Sequence, residues 1–82
     1  MVRYGRAKSN VAPGKYVYYR QFEGGPLEVF LRTEGFWDVA VYPDWGTRAR
    51  AEHASELEEI TYQDLPEEAL TTDTRFSRVN GG

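Results

Sequence analysis

Apolar and polar residues alternate along three stretches of this chain, and short turn sequences separate them. The runs are Lys15-Tyr-Val-Tyr-Tyr-Arg-Gln-Phe22, Leu27-Glu-Val-Phe-Leu-Arg32 and Trp37-Asp-Val-Ala-Val-Tyr42. Between and after them stand Glu23-Gly-Gly-Pro26, Glu34-Gly-Phe36 and Pro43-Asp-Trp-Gly46. Aromatic and β-branched residues on a two-residue period, bounded by Gly, Pro and Asp, predict antiparallel strands joined as a meander. The period also assigns faces. Tyr16, Tyr18, Arg20 and Phe22 share one face, with Val17, Tyr19 and Gln21 on the other. Leu27, Val29 and Leu31 are expected inside, leaving Glu28, Phe30 and Arg32 outside. Trp37, Val39 and Val41 oppose Asp38, Ala40 and Tyr42. A weaker run, Thr47-Arg-Ala-Arg-Ala51, predicts a half-exposed fourth strand.

The pattern changes beyond residue 53. In Ala54-Ser-Glu-Leu-Glu-Glu-Ile60, Ser55 and Glu58 have the spacing of a capping box, and Leu57 and Ile60 would share one side of a helical turn. Asp64-Leu-Pro-Glu-Glu-Ala-Leu70 predicts a second short helix, capped by Asp64, with Pro66 in its first turn. Thr74 to Val79 could form a last strand before Asn80-Gly-Gly82. Residues 1–14 lack periodicity, carry basic residues, and end at the turn Ala12-Pro-Gly14, so they predict a flexible arm. The expected organisation is therefore an arm over 1–14, a β domain over 15–61 and an extension over 62–82. Its expected core is Leu27, Val29, Leu31, Trp37, Val39, Val41, Leu57 and Ile60.

Pro13-Gly-Lys-Tyr-Val17, Val39-Ala-Val-Tyr-Pro-Asp-Trp-Gly46 and Ala54-Ser-Glu-Leu-Glu-Glu-Ile60 together resemble the layout of SH3-like small β-barrels. Such barrels place a short 3₁₀ turn before a brief closing strand. The resemblance is architectural and implies a mainly β, SH3-like antiparallel barrel with one or two short helical turns near the C-terminus. The chain lacks the acidic run and paired tryptophans of proline-binding SH3 domains, so the resemblance does not extend to proline-peptide recognition.

Composition narrows the chemistry. With 82 residues and no cysteine, one domain must hold itself together by packing alone, and two Trp, six Tyr and four Phe supply the apolar area. No stretch approaches the roughly 20 apolar residues that span a bilayer, and no apolar core follows the basic N-terminal residues, so a soluble cytoplasmic protein is expected. Net charge is −3. Basic residues crowd the front and acidic residues the back, an asymmetry that can act within one chain or between copies.

Catalysis is not expected. His53 is the sole histidine, and with Glu52 and Glu56 it makes a weak metal pattern that reads more simply as a loop histidine. Glu58 and Glu59, or Glu67 and Glu68, are adjacent and would diverge on a helix. No phosphate-binding glycine loop is present, and no cofactor is implied. The expectation is an interaction module, or a small assembly subunit such as a phage accessory protein, that binds a protein partner through exposed Phe30, Tyr42 and Trp45. For Trp45 the alternative is that it folds back over an open end of the barrel. A second expectation is nucleic-acid binding, with Arg3, Arg6, Lys8, Lys15 and Arg20 set among tyrosines. A third rests on Gly81-Gly82, since ubiquitin-like modifiers end this way. Their fold, however, needs a long helix after the second strand, where this chain predicts another strand.

Overall fold

The computed structural model describes residues 1–9, 12–51 and 57–70. Five strands form one antiparallel sheet: β1 Val2–Lys8, β2 Tyr16–Phe22, β3 Leu27–Leu31, β4 Phe36–Val39 and β5 Glu58–Ile60, in the spatial order β4-β3-β2-β1-β5. One short helix, α1 (Trp45–Ala51), and two 3₁₀ turns, Tyr62–Asp64 and Glu67–Ala69, complete the described chain. The protein is mainly β, as the alternation predicts, and β2, β3 and β4 lie within the three strongest runs to within a residue at their starts. The expected barrel is not formed. β4 and β5 stand at opposite edges of the sheet and do not pair with each other.

Three segments differ from expectation. Residues 2–8 are not part of an arm. They form β1, which pairs with β2 from Val2↔Phe22 to Lys8↔Tyr16 and with β5 through Tyr4↔Ile60, Gly5↔Glu59 and Arg6↔Glu58. Thr47–Ala51 belongs to α1 and not to a strand. Asp44 starts this helix: its carboxylate accepts the Thr47 N–H at 2.8 Å and its carbonyl accepts the Arg48 N–H at 3.1 Å. The Thr47 bond holds the Asp44 carboxyl below the usual aspartate range. Finally, Glu58–Ile60 is strand and not the end of a helical turn. Of the rest of that predicted turn, Leu57 packs against the core on the α1 face, and residues 54–56 lie outside the described residues, as do His53, the predicted strand over 74–79 and Gly81-Gly82.

Both faces of the sheet are covered, and this decides where the core sits. On one face α1 packs over Ala7, Tyr19 and Leu27, with Trp45 at the centre of the contact. Trp45 can lie flat there because the β1 residue beneath it is Gly5, where a Cβ would stand 2.8 Å from ring atoms Cζ2 and Cζ3. Arg48, one turn along, donates from Nε to the Tyr19 hydroxyl at 3.1 Å. On the other face the segment 61–70 packs Leu65 and Ala69 over Phe30 and Trp37. Thr61 begins that segment, donating its N–H and hydroxyl to Asp64 at 3.0 and 3.1 Å. These bonds lower the Asp64 pKa.

Of the expected core residues, Leu27 and Trp37 are fully buried and Val41 is 89 % exposed. β4 ends at Val39 because the chain bends away from the sheet. Ala40 still donates to the Leu27 carbonyl at 2.8 Å, and the Pro43 carbonyl then takes the Leu27 N–H at 3.3 Å, leaving Val41 on the outside of the bend.

Trp37 ties the second layer to the sheet. Its ring packs on Phe30 with centroids 5.4 Å apart, and its Nε1–H donates to the Ala69 carbonyl at 3.1 Å. Trp37→Phe removes that donor and part of the ring, and is expected to cost about 2 kcal/mol. Hydrogen exchange should speed most over residues 65–70, because that layer loses its tie. Uniform acceleration across β1 and β2 would contradict this assignment.

Candidate binding site

The structure separates the residues that sequence assigns to a protein-contact surface. Phe30 is 4 % exposed and Trp45 is 9 % exposed, and they lie on opposite faces of the sheet. Tyr42 is half-buried against the α1 face, near the Arg48 guanidinium. They therefore do not form one exposed aromatic surface. The alternative for Trp45, that the ring folds back over the β structure, matches its position more closely.

The basic residues fare similarly. Arg6 donates to Glu58 at 2.9 Å and stacks over the Tyr16 ring, 4.3 Å from its centroid. Arg3 lies 4.2 Å from the Trp45 centroid and pairs with Glu59 at 3.3 Å. Arg20 is buried and donates to Glu28 at 2.8 Å. The front-to-back charge asymmetry is thus partly satisfied within the chain, where β1 meets β5. Lys8 and Lys15 are exposed, and among the described residues neither comes within ion-pair distance of an acid.

Lys15 stands beside the main irregularity in the sheet. β2 pairs with β1 along its whole length, yet it pairs with β3 only through Gln21↔Leu27, Arg20↔Glu28 and Tyr19↔Val29. Beyond Tyr19 no further β2–β3 pair forms among the described residues, and we call the gap between the two strand ends the fork. The fork holds a cleft of about 400 Å³ with Val17, Val29 and Leu31 among its apolar walls and Lys15, Arg32 and Glu34 among its polar ones. A neighbouring hollow of about 320 Å³ shares Ser9, Lys15 and Tyr16 with it and adds Lys8.

Backbone direction follows from the alternation of an antiparallel ladder. The N–H of Ser9 bonds to the carbonyl of Lys15, so the backbone groups of the odd-numbered β2 residues point to β1. Those of Tyr16 and Tyr18 therefore point towards β3, into the fork. On the opposite wall the Leu27 carbonyl accepts from Ala40 of the chain leaving β4, which turns the backbone of Phe30 towards β2. The Tyr16 and Tyr18 rings, 6.5 Å apart, stand on the face beside this opening.

A further depression of about 470 Å³ lies at the other end of β1, bounded by Val2, Arg3, Phe22 and the Glu23–Gly24 turn. Met1 and Glu23 on its rim are almost wholly exposed, so it offers less enclosure than the fork.

Sequence reasoning missed the fork because it depends on where a ladder stops, and residue type does not reveal that. The chain matches no protein-family model, no curated protein and no solved structure. Among the described residues no helix is long and apolar enough to cross a membrane.

Proposed function

We propose that the protein is a non-catalytic binding module that holds an extended segment of a partner protein in the fork between β2 and β3. The observation that carries this is the early end of the β2–β3 ladder at Tyr19↔Val29, while the β1–β2 ladder continues to Lys8↔Tyr16. A strand whose backbone faces an opening is a template for another strand: main-chain hydrogen bonds supply affinity, and alternate side-chain positions supply selectivity. Val17, Val29 and Leu31 provide apolar contact for such a segment. On this proposal the meander is an SH3-like sheet left open, and its binding surface is the split between strands.

A titration of isotope-labelled protein with a pool of octapeptides having alternating apolar positions tests the proposal. Amide shifts are expected over Tyr16–Tyr18 and Phe30–Thr33, with Leu31→Glu abolishing them. Shifts confined to the β4 or β5 edges, or no shift at millimolar peptide, would overturn it.

Nucleic acid is the second reading, favoured by the pairing of Tyr16 and Tyr18 beside Lys8 and Lys15. It is weakened by the acids already engaging Arg3, Arg6 and Arg20. The modifier alternative, which rests on Gly81-Gly82, is disfavoured because β2 passes to β3 through the Glu23–Pro26 turn, with Gly24 at φ 78°, and not through a long helix.

A further inference from the structure

We infer that the segment held in the fork is an acidic extended peptide whose carboxylates meet Lys15 and Lys8. The inference rests on the fork being the binding site, and it adds the chemistry of the occupant. Three observations converge on it. Lys15 stands on the walls of both hollows, and Lys8 on the wall of the smaller one. Arg3, Arg6 and Arg20 are neutralised by Glu59, Glu58 and Glu28, whereas Lys8 and Lys15 meet no acid among the described residues. On the far wall Glu34 lies beside Arg32, whose guanidinium is 3.9 Å from Glu68.

The β2 wall of the opening thus carries positive charge and the β3 wall mixed charge. An extended segment aligned along Tyr16 would place successive same-side residues about 7 Å apart. That spacing lets one or two carboxylates reach the lysines while apolar residues contact Val17 and Leu31. Glu34 would repel an acid turned to the β3 wall, so charge favours carboxylates that face β2. Lysine suits this role as a mobile point charge that needs no planar partner.

Fluorescence anisotropy can test this with three labelled octapeptides sharing an alternating valine–threonine core and ending in Asp-Asp, Asn-Asn or Lys-Lys, alongside an oligothymidylate. The Asp-Asp peptide should bind about tenfold more tightly than the Asn-Asn peptide at low salt, with the gap closing at high salt. The Lys8→Gln/Lys15→Gln variant, altered at two exposed positions, should erase that gap. Equal affinity for all three peptides, with fork amides still shifting, would overturn the acidic occupant and leave the fork as a site. Failure of every peptide to bind would remove the fork itself. Tighter binding of the oligothymidylate than of any peptide, lost in the double variant, would assign the lysines to phosphates and overturn the inference.

Discussion

Gly5→Ala should destabilise the protein by at least about 3 kcal/mol and lower its melting temperature by more than about 10 °C, although it adds a single methyl group. The sign is the informative part. Gly5 is a strand residue without positive φ, and alanine at such a site ordinarily stabilises by about 0.5–1 kcal/mol by reducing the freedom of the unfolded chain. Here that gain is overwhelmed. The new Cβ would press on Cη2 of Trp45 and stand 2.8 Å from Cζ2 and Cζ3. The indole must tilt off the sheet, taking with it contacts to Ala7, Tyr19 and Leu27 and the stacking of Arg3.

Chemical denaturation of Gly5→Ala, Trp45→Leu and the double variant measures the coupling. The double variant should be much less damaged than the sum of the two, because a leucine leaves space for the methyl. Additive effects, or a Gly5→Ala change within about 0.5 kcal/mol of zero, would mean that Trp45 is not seated on Gly5.

The same contact shows how far the fold could be read from sequence. β2, β3 and β4 were legible because large residues alternate along them and glycines mark their turns. β1 was not, since the residues it turns towards α1 are Arg3, Gly5 and Ala7. Its apolar side looks empty until Trp45 fills it from another element. Arg-Ala-Arg-Ala over 48–51 fits a strand by alternation and a helix by propensity. The deciding signal was Asp44, three residues before Thr47, which caps the helix. β5 is short and acidic, and the arginines of β1 that hold it lie more than fifty residues away.

The candidate site was less legible still. Alternation tells which residues share a face, and it was read with one face dry and the other wet. Both faces are covered, so Phe30 and Trp45, expected at the surface, became core. Lys15 lines the fork and Lys8 the neighbouring hollow, but only the ends of the strand ladders reveal that the fork exists.

Glu28→Ala is expected to cost about 3–5 kcal/mol, the range for stranding one member of a buried ion pair. Arg20 is 2 % exposed and Glu28 is 7 % exposed. The guanidinium lies between two rings, 4.4 Å from the Trp37 centroid and 5.0 Å from that of Phe22, and its Nε–H meets the carboxylate at 2.8 Å. Deleting the carboxylate removes the anion that this buried guanidinium's Nε–H meets, at a position with little solvent. Replacing both residues, as Arg20→Met/Glu28→Leu, should recover most of the loss, because the desolvation penalty leaves together with the attraction.

The pair also matters for binding. Arg20↔Glu28 is the penultimate rung of the β2–β3 ladder before the fork, so it clamps the two strands just behind the opening. Glu28→Ala should therefore lengthen the fork, accelerating hydrogen exchange at Arg20 and at residue 28 ahead of global unfolding. The double replacement should restore stability and the length of the fork together. If it restored stability while those amides still exchanged early, the clamp would be specific to the charges; if Glu28→Ala were neutral, the pair would hold neither the core nor the closed end of the fork.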